Sequence, residues 1–342
     1  MCYAGARIYG FSALAAISPA DANGIPAPTA PTRLTRGPAY GRAMPREIRP
    51  NAMAWPMYRH DARRTGTASC PISADLKIAW KRSLGGTLTQ ATVAAGKAYV
   101  VDRDAYELHC LDAASGRTLW RRAFPAELDG PPTLHAGRLF IGCRDGTVHC
   151  LDPADGELAW RFLAAPLERL TLDRDRLPSV WPVSSSVLAF GGSIYAVAGR
   201  NSYVDGGIHV YALDPATGAV RHHRRLEGPQ PDAQALRKPV VTERDIKKLP
   251  PDSAKRAEAV WAMQAEYATG YNMHGAEADL LVTDGNDLYM TQTKLTPALE
   301  PVPLKRIFHT GLTPMGGMHM LANAGFLDET MFHRSYWMYD RS

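Results

Sequence analysis

No two of the five cysteines in this 342-residue chain are adjacent, and no Cys-x-x-Cys occurs. Cys2, Cys70, Cys110, Cys143 and Cys150 do not form a Cys/His array of zinc type either. The His-Cys pairs at 109–110 and 149–150 fall in strand-like stretches, whose alternation sends neighbouring side chains to opposite faces. Buried free thiols are expected rather than a disulfide framework or a zinc module. Long hydrophobic runs are missing as well: nothing approaches the roughly 18 uninterrupted apolar residues of a membrane helix. Charge of one sign is not concentrated, since the net charge is +5 and the only dense runs are RHHRR at 221–225 and RDIKK at 244–248. Each run reads as a solvated turn or a surface strand, not as a nucleic-acid-binding face. No serine sits in a nucleophile elbow and no His-x-x-x-His accompanies a glutamate, so His274, His309, His319 and His333 are expected to be surface or satisfied groups. PMGGMHM at 314–320 reads as a packed, adaptable loop.

What is abundant points to turns and strands. The 29 glycines and 26 prolines lie mostly between short runs of Val, Tyr, Leu and Thr, and 45% of the chain is hydrophobic, enough for a large core. Those runs repeat. LDAASGRTLW at 111–120 is followed after 40 residues by LDPADGELAW at 151–160, and LDPATGAVRH at 213–222 is a third copy. Asp112, Asp152 and Asp214 correspond, as do Gly116, Gly156 and Gly218, while Trp80 extends the 40-residue spacing of Trp120 and Trp160 backward. Each unit reads as four short strands with a Gly turn, a second turn and an Asp-x-x-x-Gly turn between them, the unit of a β-propeller blade. The aspartate accepts backbone N–H groups inside its turn, the glycine takes the positive φ that closes it, and the tryptophan is expected to bury on the order of 200 Å² against the next blade. Cys110 and Cys150 stand where Ala212 stands in the third copy, which marks small packing positions.

Leu-Asp-x-x-x-Gly-x-x-x-Trp after a Val-Tyr-Ala or Val-His-Cys strand resembles the PQQ-binding-like β-propeller repeat of quinoprotein alcohol dehydrogenases and of the outer-membrane assembly lipoprotein propeller. WPMYRHDARRTG at 55–66 is similar to the lead-in segment of such propellers. The resemblance implies an all-β fold, a β-propeller of four-stranded antiparallel blades. About four or five blades are visible of the roughly seven or eight with which such propellers close, so the chain is expected to be a truncated member. The third copy departs from the pattern by carrying His222 in place of the tryptophan, and one helical insertion follows at 228–276, with Asp252 or Ser253 as the cap of a helix running to Tyr267.

The expected organisation is a segment at 1–22 that is a secretory signal or the remnant of a preceding blade, a Pro-rich linker at 23–54, and the propeller at 55–342. The resemblance also implies a quinone cofactor held with a vicinal Cys-Cys disulfide, Ca²⁺ and an aspartate base. The missing vicinal cysteines argue against PQQ and Ca²⁺, although Asn201, Asp205, Asp284, Asn286 and Asp287 carry suitable oxygens; Asp284-Gly285-Asn286 reads first as a hairpin turn. No catalytic, cofactor or metal residues are assigned. The expected function is a non-catalytic, extracytoplasmic, periplasmic-type scaffold that presents inter-blade loops to a protein or to an extended ligand such as a glycan. A PQQ-dependent dehydrogenase and a structural module of a longer protein are the alternatives. The candidate ligand-binding residues are Trp181, which falls outside the repeat register, and Arg200, Asn201, Tyr203 and Asp205 in the Gly-flanked loop 198–207.

Overall fold

The computed structural model describes residues 32–43, 54–173, 176–202, 204–227, 243–257, 259–260, 278–290 and 293–302, and beyond them only the backbone of four short strands. Strand β1 (Leu34–Arg36) comes first. Three four-stranded antiparallel meanders follow: β2 (Thr92–Ala94), β3 (Lys97–Asp102), β4 (Glu107–Asp112) and β5 (Thr118–Ala123); β6 (Thr133–His135), β7 (Arg138–Cys143), β8 (Thr147–Leu151) and β9 (Leu158–Leu163); β10 (Leu188–Phe190), β11 (Ser193–Ala198), β12 (Ile208–Leu213) and β13 (Val220–Leu226). Helix α1 (Glu243–Lys247) lies in the insertion, where the Ser253 hydroxyl accepts the Arg256 N–H at 3.1 Å as the cap of a further helical turn. A fourth sheet holds β14 (Val282–Thr283), β15 (Leu288–Met290) and β16 (Thr293–Leu295). The strand pairs β17 (Arg306–Phe308) with β18 (Pro314–Gly316) and β19 (Leu321–Ala322) with β20 (Trp337–Met338) complete the described chain. The fold is all-β apart from the insertion, built of propeller blades. His274, His309, His319, His333, most of the Met-rich loop and the helix past residue 260 lie outside the described residues.

The repeat positions coincide from blade to blade. The N–H groups of Gly116, Gly156 and Gly218 donate to the carbonyls of Asp112, Asp152 and Asp214 at 2.8, 2.9 and 2.8 Å, and the glycines have φ of 69°, 78° and 72°. Each aspartate carboxylate accepts a further N–H within its turn, from Ser115, Ala154 and Thr217. A bulge recurs just before each turn, at Cys110/Leu111, Cys150/Leu151 and Ala212/Leu213. The indole of each repeat tryptophan lies on the glycine of the next unit: a Cβ on Gly116, Gly156 or Gly218 would come within 2.5, 2.7 and 2.8 Å of Trp80, Trp120 and Trp160. Their Nε1 atoms donate to Ala113, Pro153 and Pro215 at 3.0, 3.3 and 3.1 Å. Trp80 makes these contacts from an irregular segment with no sheet partner among the described residues.

Equal burial of the three tryptophans is not what the packing gives. Trp160 is fully buried, whereas Trp80 and Trp120 are half-buried. The cause is β1, which pairs with the outer strand β9 (Arg36 opposite Trp160) and places Leu34 against Gly218 beside the indole. Leu34–Arg36 thus falls within the segment read as linker yet forms a fifth strand of the second blade. Arg33 donates to the Tyr211 hydroxyl at 2.7 Å, so the same strand ties the second blade to the third. In the third blade β13 is largely exposed, His222 included, and the reach across the next junction is made by the Tyr195 hydroxyl to Pro297 at 2.8 Å.

Cores lie between blades rather than within them. Val101, Leu108, Leu139 and Ile141 fill the first junction, Trp160, Phe162, Ile194 and Tyr211 the second, and Leu188, Val210, Leu288 and Met290 the third. Cys110 and Cys150 are buried free thiols, as their packing positions imply, and Cys143 is a third.

Candidate functional site

Successive antiparallel strands put the β3–β4, β7–β8 and β11–β12 hairpins on one face of the array, together with the blade-to-blade connections 124–132 and 164–187. The Asp-x-x-x-Gly turns lie on the opposite face. The innermost strands β2, β6 and β10 stand side by side, joined where the Thr92 hydroxyl donates to Pro132 at 2.6 Å and the Thr133 hydroxyl to Val187 at 2.7 Å.

The inner edges of the blades, where a propeller could hold a small molecule, are taken by the chain's own residues 54–66. Trp55 exchanges backbone hydrogen bonds with Val93 of β2 at 2.6 and 2.9 Å, and the Pro56 carbonyl accepts Leu134 N–H of β6 at 2.7 Å. The Ala62 carbonyl accepts Thr283 N–H of β14 at 3.1 Å. Arg64, only 3% exposed, donates to the carbonyls of Tyr58, Ser186 and Leu281 at 2.9, 3.4 and 3.3 Å. Burial lowers its pKa to about 10, and three carbonyl dipoles hold the charge in place of water. One segment therefore touches the first, second and fourth blades and the connection that leads into the third.

On the hairpin face, arginines and carboxylates are interleaved. Buried Glu127 accepts from Arg103 at 3.1 Å, Arg144 at 3.4 Å and Arg176 at 2.5 Å; Asp129 accepts from Arg103 and Arg144 at 2.7 Å each; Asp173 pairs with Arg144 at 3.4 Å and Asp104 with Arg176 at 3.4 Å. Burial disfavours the Arg144 charge, but Asp129, Glu127 and Asp173 outweigh it and hold its pKa above the ordinary value. The Arg176 pKa is raised chiefly by its hydrogen bond to Glu127.

This network fixes a hairpin that the sequence reading did not single out. Asp173 and Arg176 exchange backbone hydrogen bonds at 2.9 and 3.0 Å, and Thr171 N–H donates to Pro178 at 2.9 Å, so Leu172 faces Leu177 across the ribbon. Thr171, Asp173 and Arg176 are turned to the body, two of them through the ion pairs above. Leu170, Leu172 and Leu177 are 58%, 52% and 61% exposed. By strand alternation the N–H and C=O groups of Leu170 and Leu172 point away from the partner strand, and no backbone hydrogen bond engages them among the described residues. An ion-anchored ribbon with an apolar outer face and an open edge is a feature that soluble surfaces ordinarily suppress.

Of the residues proposed from sequence, Trp181, Arg200, Asn201 and Asp205 are described, and they lie at the same face. Trp181 is 5% exposed, packs in the second-to-third blade core and donates Nε1–H to the Asp205 carbonyl at 2.9 Å. Arg200 and Asp205 pair within the loop at 2.5 Å, Asp205 takes φ 54°, and the Arg200 carbonyl accepts Ala278 N–H at 2.8 Å. Asn201 is half-buried, and Tyr203 lies outside the described residues. Loop 198–207 is thus a braced turn with Trp181 as its support.

Among the described residues, the carboxylates with oxygens suited to Ca²⁺ are engaged within the chain. Asp205 is held by Arg200, and the Asp284 carboxylate accepts the N–H groups of Asn286 and Asp287, both at 2.8 Å, and the Tyr289 hydroxyl at 2.9 Å. Asp287 pairs with Lys294 at 3.0 Å. Asp284 to Asp287 form the hairpin turn expected, with Gly285 at φ 105°. The one convergence of three His, Cys, Asp or Glu ligand atoms among the described residues, Cys143, Asp145 and His149, offers sulfur and nitrogen rather than the all-oxygen shell of Ca²⁺. Spacing along the chain does not reveal it, because Cys143 and His149 meet across a hairpin.

A family profile described as outer membrane protein assembly factor BamB matches residues 72–232 and 144–296. Among solved structures, the chain is similar to a quinohemoprotein alcohol dehydrogenase from Comamonas testosteroni, at 15% identity and TM-score 0.47 over 77% of this chain and 42% of that one. It is also similar to the quinohemoprotein alcohol dehydrogenase ADHIIG from Pseudomonas putida HK5, at 17% identity and TM-score 0.46 over 70% of this chain and 34% of that one. BamB from Moraxella catarrhalis matches at 14% identity and TM-score 0.28 over 68% of this chain and 64% of that one. The chain thus spans less than half the length of these dehydrogenases and just under two thirds of that BamB. No curated protein matches it.

Proposed function

The chain belongs to the family described as outer membrane protein assembly factor BamB, and from that premise we propose that it is a non-catalytic, extracytoplasmic propeller that binds a protein partner on its hairpin face. The observation that carries this reading is the placement of residues 54–66 along the inner edges of three blades and the connection into β10, where a buried cofactor would need room. Two further features support it. The acids of the hairpin face are paired in place with Arg103, Arg144 and Arg176, which suits a fixed docking platform. The ribbon at 170–179 supplies apolar area, with the braced loop at 198–207 beside Trp181 as a polar neighbour on the same face.

The competing activity is PQQ-dependent oxidation of an alcohol, and calorimetry of the full chain with PQQ and Ca²⁺ separates the two. Saturable heat is expected to be absent, as is dye-linked alcohol oxidation. Stoichiometric, micromolar PQQ binding would overturn the reading.

A further inference from the structure

Cys143, Asp145 and His149 come together at one end of the second blade. Cys143 ends β7, Asp145 sits in the turn, and His149 lies in β8; Cys143 is opposite Thr147 and Ile141 is opposite His149, so the cysteine, threonine and histidine share one face. That face looks into the junction with the first blade, beneath Phe124, which meets the His149 ring edge-on at 5.0 Å, and Ala126, whose carbonyl accepts the Cys143 thiol at 3.5 Å. One ligand atom from each of Cys143, Asp145 and His149 lies within 4.8 Å of the others. Cys143 is fully buried, His149 is 5% exposed, and its Nδ1 is buried with no hydrogen-bond partner.

The Thr147 hydroxyl holds the group together: it lies 2.5 Å from Asp145 Oδ1 and 2.8 Å from His149 Nε2. A hydroxyl between a carboxylate and an imidazole nitrogen stands where a cation would bring both, and is itself a candidate fourth ligand. The arrangement is particular to this blade. At the position of Cys143 the first blade has Asp102 and the third has Ala198, so the thiol is not a packing requirement of the repeat.

We propose that Cys143, Asp145 and His149 form a binding site for a thiophilic divalent cation of the zinc class. One sulfur, one nitrogen and one carboxylate oxygen are the donor types zinc accepts in four-coordinate sites. Bonds of about 2.0–2.3 Å to a tetrahedral centre place ligand atoms about 3.5 Å apart, so side-chain shifts on the order of 1 Å close the present separation. On binding, the Cys143 thiol gives up its proton as the sulfur–metal bond forms, releasing one proton per ion. The thiolate and the Asp145 carboxylate then balance the divalent charge. A cation there would pin the β7–β8 hairpin, and with it Arg144, whose guanidinium holds Asp129 and Asp173.

Cobalt titration of the full chain carrying Cys2→Ser and Cys70→Ser tests the assignment. The expected result is a one-to-one rise of a near-ultraviolet thiolate-to-cobalt band with tetrahedral visible bands, one proton released per ion, and displacement by zinc. Adding Cys143→Ser should abolish the charge-transfer band, and adding Cys150→Ala should leave it. Circular dichroism of the metal-free variants establishes that each is folded, and if Cys143→Ser is not, His149→Gln takes its place with the visible bands as the readout. A folded parent giving no one-to-one band, or a band that survives in Cys143→Ser, would overturn the proposal.

Discussion

Replacing the repeat tryptophans one at a time should give unequal losses, in an order set by β1. Trp160 is fully buried, lies on Gly218, meets Phe140 at a ring-centroid distance of 5.8 Å and donates to Pro215 at 3.1 Å. Trp160→Ala removes a large, fully buried aromatic and its hydrogen bond to the Pro215 carbonyl, which then keeps only the weak Cys150 thiol, and this places its cost at about 4–5 kcal/mol, the upper part of the range for such truncations. Trp120 makes the same two junction contacts but is only half-buried, so about half of a side-chain burial of roughly 200 Å² is lost at about 25 cal/mol per Å², or about 2–3 kcal/mol. Trp80 has the same contacts without a surrounding sheet, and Trp80→Ala should cost about 1–2 kcal/mol on the same scale. Urea denaturation followed by circular dichroism reads the three values, provided the slopes agree. Deleting residues 32–43 should bring Trp160→Ala down toward Trp120→Ala. Equal losses in all three, or the greatest loss at Trp80, would refute the view that the tryptophans close successive junctions and that β1 seals one of them.

Acid should loosen the junction of the second and third blades. His209 Nδ1 and His223 Nε2 lie 3.0 Å apart, with their rings stacked beside Tyr211, and Arg33 reaches over the same ring. Burial first, and then the facing His223, lower the His209 pKa to about 4. The unfolded chain takes up this proton near pH 6.5 and the native one only near 4, so stability is full above about 6.5 and falls as the pH drops through this window, by about 2–3 kcal/mol. His209→Gln should flatten that slope in chemical denaturation between pH 7 and pH 4.5; an unchanged slope would place the acid sensitivity elsewhere.

The parts of this molecule that were legible in the sequence are those whose causes are local. An aspartate that closes its own turn and a glycine four residues on with positive φ leave a spacing in the chain, and three copies of it give the blade. The position of Trp120 relative to Gly156 follows from the same period. What stayed hidden depends on contacts between distant segments. Leu34–Arg36 has no alternation of its own and becomes a strand only because β9 offers an edge. The lead-in segment was recognisable by its residues, but nothing local says that Trp55, Pro56 and Ala62 each bond a different blade. Cys143 and His149 are brought together by hairpin register. Trp181 stood out for lacking a place in the repeat; its place is beneath the 198–207 loop, where it supports Asp205. The ribbon at 170–179 stayed hidden because the alternation of Leu170, Thr171 and Leu172 is too short to mark a strand by itself.

The claim that a protein partner docks on the hairpin face is met most directly by site-specific photo-crosslinking in the cells that make this protein, with the photoreactive residue at Leu172 or Asn201 on that face and at Ala114 in an Asp-x-x-x-Gly turn on the other. Positions 172 and 201 should each give the same discrete protein adduct, absent at 114 and lost from position 201 when Leu170 and Leu177 are changed to Asp in a chain of unchanged melting temperature. Equal adducts from both faces, or none at 172 and 201, would contradict it.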